Sequence, residues 1–216
     1  MSRRASLPLL IAVTLVTFTG LSRSDAQALP DAARERLMRV LARSVVDLLV
    51  GTDGTATGFF VAPSGWVVTS AAVTHEGPAR IRFASGTIRS SHVVRVDEDH
   101  GLAILAAEGP PPVPGLSLGD TIPIHVGTSL FVFRAPAGVH GTLVAGHVRS
   151  RLPVSPLAGP LTRDVIEMEP GSGSGSEGAP VVDRTGAVLG VIAGGSDDVE
   201  HVIPSRYVRD LIASLP

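Results

Sequence analysis

The chain has three textures from its N-terminal end. Leu7 to Leu21 is an uncharged apolar run behind Arg3 and Arg4. The polar stretch Ser22-Arg23-Ser24-Asp25 follows, and then Ala26-Gln27-Ala28. A basic start, an apolar middle and a small-x-small site predict a secretory signal peptide over 1–28, with cleavage near Ala28. The apolar run is 15 residues, shorter than the ~20 a spanning helix needs, which disfavours an uncleaved anchor. Ser2-Arg3-Arg4 hints at twin-arginine export, although Ser6 stands where that signal usually carries an aromatic residue. The second texture, 29–44, has a helical period: Leu37, Val40 and Leu41 share a face, and Asp31 is placed to cap the N-terminus.

From Val45 onward the period falls to two. Short β-branched runs alternate with Gly, Pro, Ser and Asp: Val45–Val50, Gly58–Ala62, Trp66–Ser70, Arg80–Phe83, Ile88–Val96, Leu102–Ala106, Ser129–Arg134, Thr142–Arg149, Val165–Met168, Pro180–Asp183, Ala187–Ala193 and Val199–Ile203. So many short strands with turn signals between them predict an all-β architecture of sandwich or barrel type. Asp183-Arg184-Thr185-Gly186 reads as a hairpin turn. Gly109 to Pro114, with four prolines in six residues, reads as a stiff connector between two half-domains. After Pro204, Ser205 is expected to cap a last helix that buries Val208, Leu211, Ile212 and Leu215.

Composition narrows the function classes. A chain of 216 residues that is 44% hydrophobic can bury its own core. A net charge of −2 with 18% charged residues offers no basic surface for nucleic acid. No cysteine is present, so disulfides and thiolate metal sites are out. All 18 basic side chains are arginine, which excludes a Ser-Lys dyad and Schiff-base chemistry.

Four stretches carry a resemblance. Gly58-Phe59-Phe60-Val61-Ala62-Pro63-Ser64-Gly65-Trp66-Val67-Val68-Thr69-Ser70-Ala71-Ala72-Val73 resembles the pattern G-F-[IV]-V-x-P-x-G-x-[IV]-[VL]-T-N-A-H-V of HtrA-type serine proteases. Glu169-Pro170-Gly171 through Gly175-Ser176-Glu177-Gly178-Ala179-Pro180-Val181-Val182 is similar to their N-P-G-N-S-G-G-P-[LV]-V, with a short insertion. Asp97 to Leu105 resembles D-x-x-x-D-[LI]-A-[VL]-L, and Val202-Ile203-Pro204-Ser205 resembles the segment that closes the protease domain. The resemblance covers nearly all of 45–216 in order, with no PDZ module expected after it. It implies a trypsin-like fold of two antiparallel Greek-key β-barrels, with a helix at each end.

Carried over residue by residue, the resemblance puts the catalytic histidine on Ala72, the aspartate on Gly101 and the nucleophile on Glu177. A serine hydroxyl attacks only when a base takes its proton, and the base needs a carboxylate to hold its tautomer. None of the three seats holds the required group, and a carboxylate at the nucleophile seat opposes a developing oxyanion. The expectation is therefore a homologue without proteolysis. A shifted triad of His75, Asp99 and Ser176 can also be written, but a one-residue slip on a strand reverses a side chain, and misplacement of about 1 Å costs orders of magnitude.

Two weaker readings concern ligands. His75, His100 and Glu177 are chemically credible zinc ligands, but the seven histidines show no short paired spacing, so neither metal nor cofactor is expected. Gly175 and Glu177 resemble an oxyanion-hole pair, and with Gly138 they offer a possible backbone nest for an anion. Glycine is also what such turns need for their own sake. Trp66, Phe59 and Phe60 read as packing residues. Three functions stay open: a periplasmic or secreted protein that binds a peptide or protein partner and no membrane after cleavage, an active endopeptidase with the shifted triad, or a scaffold.

Overall fold

The computed structural model describes residues 29–75, 77, 79–110, 115–121, 124–134, 141–152, 164–173, 175–196 and 198–215. The predicted signal peptide, Pro111–Pro114 of the connector and Gly138 lie outside the described residues. No helix among the described residues is long and apolar enough to cross a membrane.

Helix α1 (Asp31–Ser44) leads into β1 (Val45–Val50), β2 (Gly54–Val61), β3 (Trp66–Ser70), a 3-10 turn (Ala71–Thr74), β4 (Arg80–Arg82), β5 (Ile88–Arg89), β6 (Ser91–Asp97) and β7 (Leu102–Ala107). The second half has β8 (Ser129–Arg134), β9 (Thr142–Leu152), β10 (Val165–Glu169), β11 (Pro180–Val182), β12 (Val188–Gly195), β13 (Glu200–Pro204) and helix α2 (Ser205–Ala213). The architecture is the all-β pair expected.

The first sheet runs β5-β4-β1-β2-β3-β7-β6, all antiparallel. Its two end strands, β5 and β6, are separated in sequence by Ser90 alone, so the sheet must curl until its ends meet. The expected single strand Ile88–Val96 is thus corrected to two, one on each side of the curl. The second sheet is a closed barrel, β10-β13-β12-β11-β8-β9. Each half places a meander of three strands with the fourth back beside the first, β4-β1-β2-β3 and β11-β8-β9-β10, which is Greek-key order.

Period-two patterning becomes three cores. Leu48, Phe60, Val67, Ile81 and Leu105 fill the first barrel. Leu130, Val132, Val148, Ile166, Val181 and Ile192 fill the second. A third cluster lies between them, where Phe59, Val68 and Ile104 meet Phe131, Phe133, Val188 and Ile203 under Leu37 and Leu41 of α1 and Val208 and Leu211 of α2. Both helices therefore seal the seam between barrels. Burying one such phenylalanine contributes about 1.5–3 kcal/mol. Phe59 and Phe60 point into different cores because neighbours on a strand face opposite ways. Trp66 packs half-buried against the central cluster.

The chain after the proline-rich connector binds both halves. Leu116 N donates to Phe60 O (2.7 Å) and Ala62 N to Leu116 O (2.9 Å), while Gly119 N donates to Val188 O (2.8 Å) and Val188 N to Ser117 O (2.9 Å).

Two expected caps are corrected. Asp31 is the first residue of α1, and Pro30 holds the N-cap position without a side-chain bond. A proline there has its φ already set for entry into the helix and loses no donor. Ser205 is likewise inside α2, behind Pro204. Its hydroxyl donates to Gly119 O at 2.8 Å and so ties the helix to the segment between barrels. The turn Asp183–Gly186 forms as read, with Asp183 Oδ1 accepting from Thr185 N and Ala187 N.

Candidate active site

The three seats named from the sequence converge where the barrels meet. Ala72 lies in the 3-10 turn that follows β3, and Gly101 in the turn that precedes β7. Strand β3 pairs with β7, which carries Ser70 opposite Leu102. Ala71 N donates to Gly101 O at 3.0 Å, closing the first two seats on each other. Glu177 arrives from the second barrel on the loop before β11. The hydroxyl of Ser70 joins the remaining pair: it accepts from Ala72 N (3.3 Å) and donates to Glu177 Oε1 (3.1 Å).

This loop is held by backbone. Thr57 N donates to Glu177 O (2.9 Å), Thr57 Oγ1 to Gly175 O (2.8 Å), and Thr69 Oγ1 to Thr57 O (2.9 Å). From behind, Gly178 N donates to Ile192 O (2.8 Å) and Ile192 N to Ala179 O (3.0 Å). Gly178 is at φ +79, and a Cβ on it would stand 2.1 Å from Thr57 O and 2.2 Å from Thr69 Oγ1. Only glycine allows that approach. Gly175, also at φ +79, has open space around its missing Cβ.

The side chains at the seats do not supply a proton relay. Ala72 is exposed and offers a methyl group. Gly101 offers none, and its φ of +66 is a conformation in which an L residue is strained. The Glu177 carboxylate, half-buried, is fixed by the Ser70 hydroxyl.

The shifted residues are dispersed among other partners. His75 is exposed and faces Glu98 at 3.7 Å, and Asp99 is exposed. Ser176 is 5% exposed and gives its hydroxyl to Gly173 O (2.8 Å) and Glu200 Oε1 (3.0 Å). Among the described residues no hydrogen bond or ion pair joins any two of His75, Asp99 and Ser176. His100 turns to Asp97, its Nδ1 2.8 Å from Oδ2, and stacks on Tyr207 of α2 with ring centroids 4.2 Å apart. His75, His100 and Glu177 thus have three different partners, and no group of three metal-ligating side chains stands together among the described residues.

The matches to known proteins follow this geometry. Residues 56–191 match the trypsin-like peptidase domain. The chain belongs to that family. It is 29% identical over 160 residues to the mitochondrial serine protease HTRA2 of Bos taurus, covering 72% of this chain and 35% of that protein. It is 27% identical over 183 residues to the chloroplastic Protease Do-like 1 of Arabidopsis thaliana, covering 79% and 41%. The chain spans about a third to two-fifths of the length of the curated relatives it matches. Among solved structures, the inactive form of the Rv3671c protease of M. tuberculosis superposes with a TM-score of 0.71 at 26% identity, covering 87% of this chain and 96% of that one. This is an HtrA-type trypsin-like domain, and its named relatives are proteases.

Sequence reasoning missed Ser70 and Glu200. Ser70 stands where the family pattern has asparagine, two positions before the histidine seat, and that departure was the available signal. Glu200 shares the period-two face of Val202 and Pro204, an acidic residue on an inward stripe.

Proposed function

We propose that this chain is a proteolytically silent member of its family, exported to the periplasm or beyond, that holds a peptide or protein segment along the groove between its barrels. One observation carries the reading: the three seats converge, and two of them, Ala72 and Glu177, are joined by a serine hydroxyl that spans a backbone N–H and a glutamate carboxylate. Proteolysis on this scaffold needs a base beside a hydroxyl and a carboxylate behind the base. A methyl group, a hydrogen and an anchored carboxylate supply neither. Export is supported by the apolar leader and by likeness to the probable periplasmic DegP-like endoprotease of Rhizobium meliloti, 26% identical over 166 residues, covering 74% of this chain and 32% of that protein. Peptide binding is supported by the retained backbone of the loop 175–179, since main-chain pairing can hold an extended segment without any reaction.

The rearranged triad is disfavoured, because Ser176 is committed to Gly173 and Glu200. A fluorophosphonate probe tests the proposal: the purified chain remains unlabelled and leaves casein intact. Ala72→His with Glu177→Ser gives slow labelling at residue 177, slow because no aspartate orients the imidazole. Casein cleavage by the natural chain that disappears with Ser176→Ala would overturn the reading.

A further inference from the structure

Helix α1 turns two different stripes to its surroundings. Leu37 and Leu41 are buried in the seam between the barrels. Arg36, Arg39, Val40 and Arg43, at i, i+3, i+4 and i+7, form an exposed stripe beside them. Val40 is 46% exposed, an apolar side chain among three guanidinium groups. Arg39 meets the exposed carboxylate of Glu35 at 2.8 Å. Among the described residues Arg36 and Arg43 have neither a hydrogen-bond nor an ion-pair partner.

A hollow lies on each side of Val40. Arg36 and Val40 line one together with Arg184 and Thr185 of the turn between β11 and β12. Arg39, Val40 and Arg43 line the other with Gly115 and Leu116, just after the connector. Among the described residues no aspartate or glutamate lines either hollow, although the whole chain carries a net charge of −2. Neither includes Ala72, Gly101 or any residue of the loop 175–179, so this face is separate from the groove.

We propose that this stripe docks on the surface of an anionic phospholipid bilayer. The three guanidinium groups bind phosphodiester oxygens, which their planar donors match in pairs. Val40 enters between the headgroups, as apolar side chains of interfacial helices do. The chain order favours the contact: nine residues separate Leu21, the end of the apolar leader, from Asp31. Extended, they reach at most about 35 Å, so a leader that enters the bilayer delivers α1 to its surface. After cleavage the stripe holds the chain there by charge. This replaces the expectation of no membrane after cleavage, because net charge over a whole chain does not show where charge gathers. The groove reading is independent of it.

The chain has no cysteine, so Val40→Cys in the full chain takes a single environment-sensitive NBD label on the stripe. Vesicles of phosphatidylglycerol and phosphatidylcholine in equal parts are expected to brighten the label and shift it to the blue. Pure phosphatidylcholine is expected to leave it unchanged. Each arginine near an anionic surface contributes about fivefold in affinity. Arg36→Gln, Arg39→Gln and Arg43→Gln together are therefore expected to raise the half-saturating lipid concentration about a hundredfold. The leader is the same in both chains, and the label reports residue 40 rather than the leader. No brightening, equal brightening by both vesicles, or a triple variant that binds as well as its parent would overturn the proposal. Brightening without lipid as protein concentration rises would give the face to a second copy of the chain. Brightening by soluble polyglutamate would give it to an acidic peptide, and either result would overturn the proposal. If the triple variant does not fold, the comparison of the two vesicles decides alone.

Discussion

The two barrels contribute to the shared site in opposite ways. The first brings Ala72 and Gly101, positions with no ionisable group, on a β3–β7 frame paired without a register shift from Val67 to Ser70. The second brings a loop rich in charge and backbone polarity: Glu177 in front, Glu200 behind, and Ser172 and Ser176 between them. Yet the hydrogen bonds that clamp this loop to the first barrel, through Thr57 and Thr69, are intact. Side-chain chemistry and backbone architecture have separated. The fold needs the clamp to close the seam between barrels, whereas it needs no particular group at the seats.

The sharpest way to break that comparison is to attack the clamp. Gly178→Ala puts a Cβ into Thr57 O and Thr69 Oγ1 in a left-handed conformation. A loss of at least about 3 kcal/mol is expected, seen by calorimetry as a fall in Tm of about 6–12 °C. An unchanged Tm would show that the barrels do not depend on this contact. Next comes the charged interior of the loop. Ser176→Ala removes a donor from Glu200 and should cost about 1.5–3 kcal/mol, the range for hydrogen bonds to charged groups, measured as a lower urea midpoint at constant m. Ser70→Ala acts at the half-buried front and should cost about 1 kcal/mol. If it cost more than Ser176→Ala, the front rather than the back of the loop would be its main support.

The smallest effect lies wholly in the first barrel. Asp47, 4% exposed on β1, pairs with Arg82 of β4. Burial raises its carboxyl above the usual 3.8, and the hydrogen bond and charge of Arg82 oppose the rise. With the folded value raised, the folded chain binds this proton more tightly than the unfolded one. The stabilisation is therefore complete below about pH 3.8 and is lost as pH rises through the folded value. Urea unfolding of the natural chain against Asp47→Asn between pH 3 and 6 should show their difference shifting against the natural chain as pH rises. The reverse slope would mean that Arg82 outweighs burial.

Much of the fold was legible because strand periodicity and turn residues are local. Val45–Val50, Trp66–Ser70 and Ser129–Arg134 were placed to the residue. The errors fall where a distant partner decides. Ser90 divides the expected strand Ile88–Val96 because the sheet must curl there. Gly54–Thr57 joins β2 although its sequence is mostly polar and glycine-containing, because β1 supplies the pairing from Asp47 to Val50. Gly171–Ser176 looks like a flexible linker by composition, yet Ser172 and Ser176 are buried on Glu200. The three seats could be named by motif, while the groups around them, Ser70, Thr57 and Glu200, could not.

The sequence alone determined which groups stand at the seats, since identity is covalent and no folding event can place an imidazole at Ala72 or a hydroxyl at Glu177. It also determined the family, through four motifs in order. The tertiary structure alone decided that Glu177 meets Ser70 from the opposite barrel, and that Glu200 lies buried beneath the hydroxyls of Ser172 and Ser176. Those contacts join residues 107 and 24–28 positions apart. Spacing along a chain says nothing about such distances until both barrels have closed.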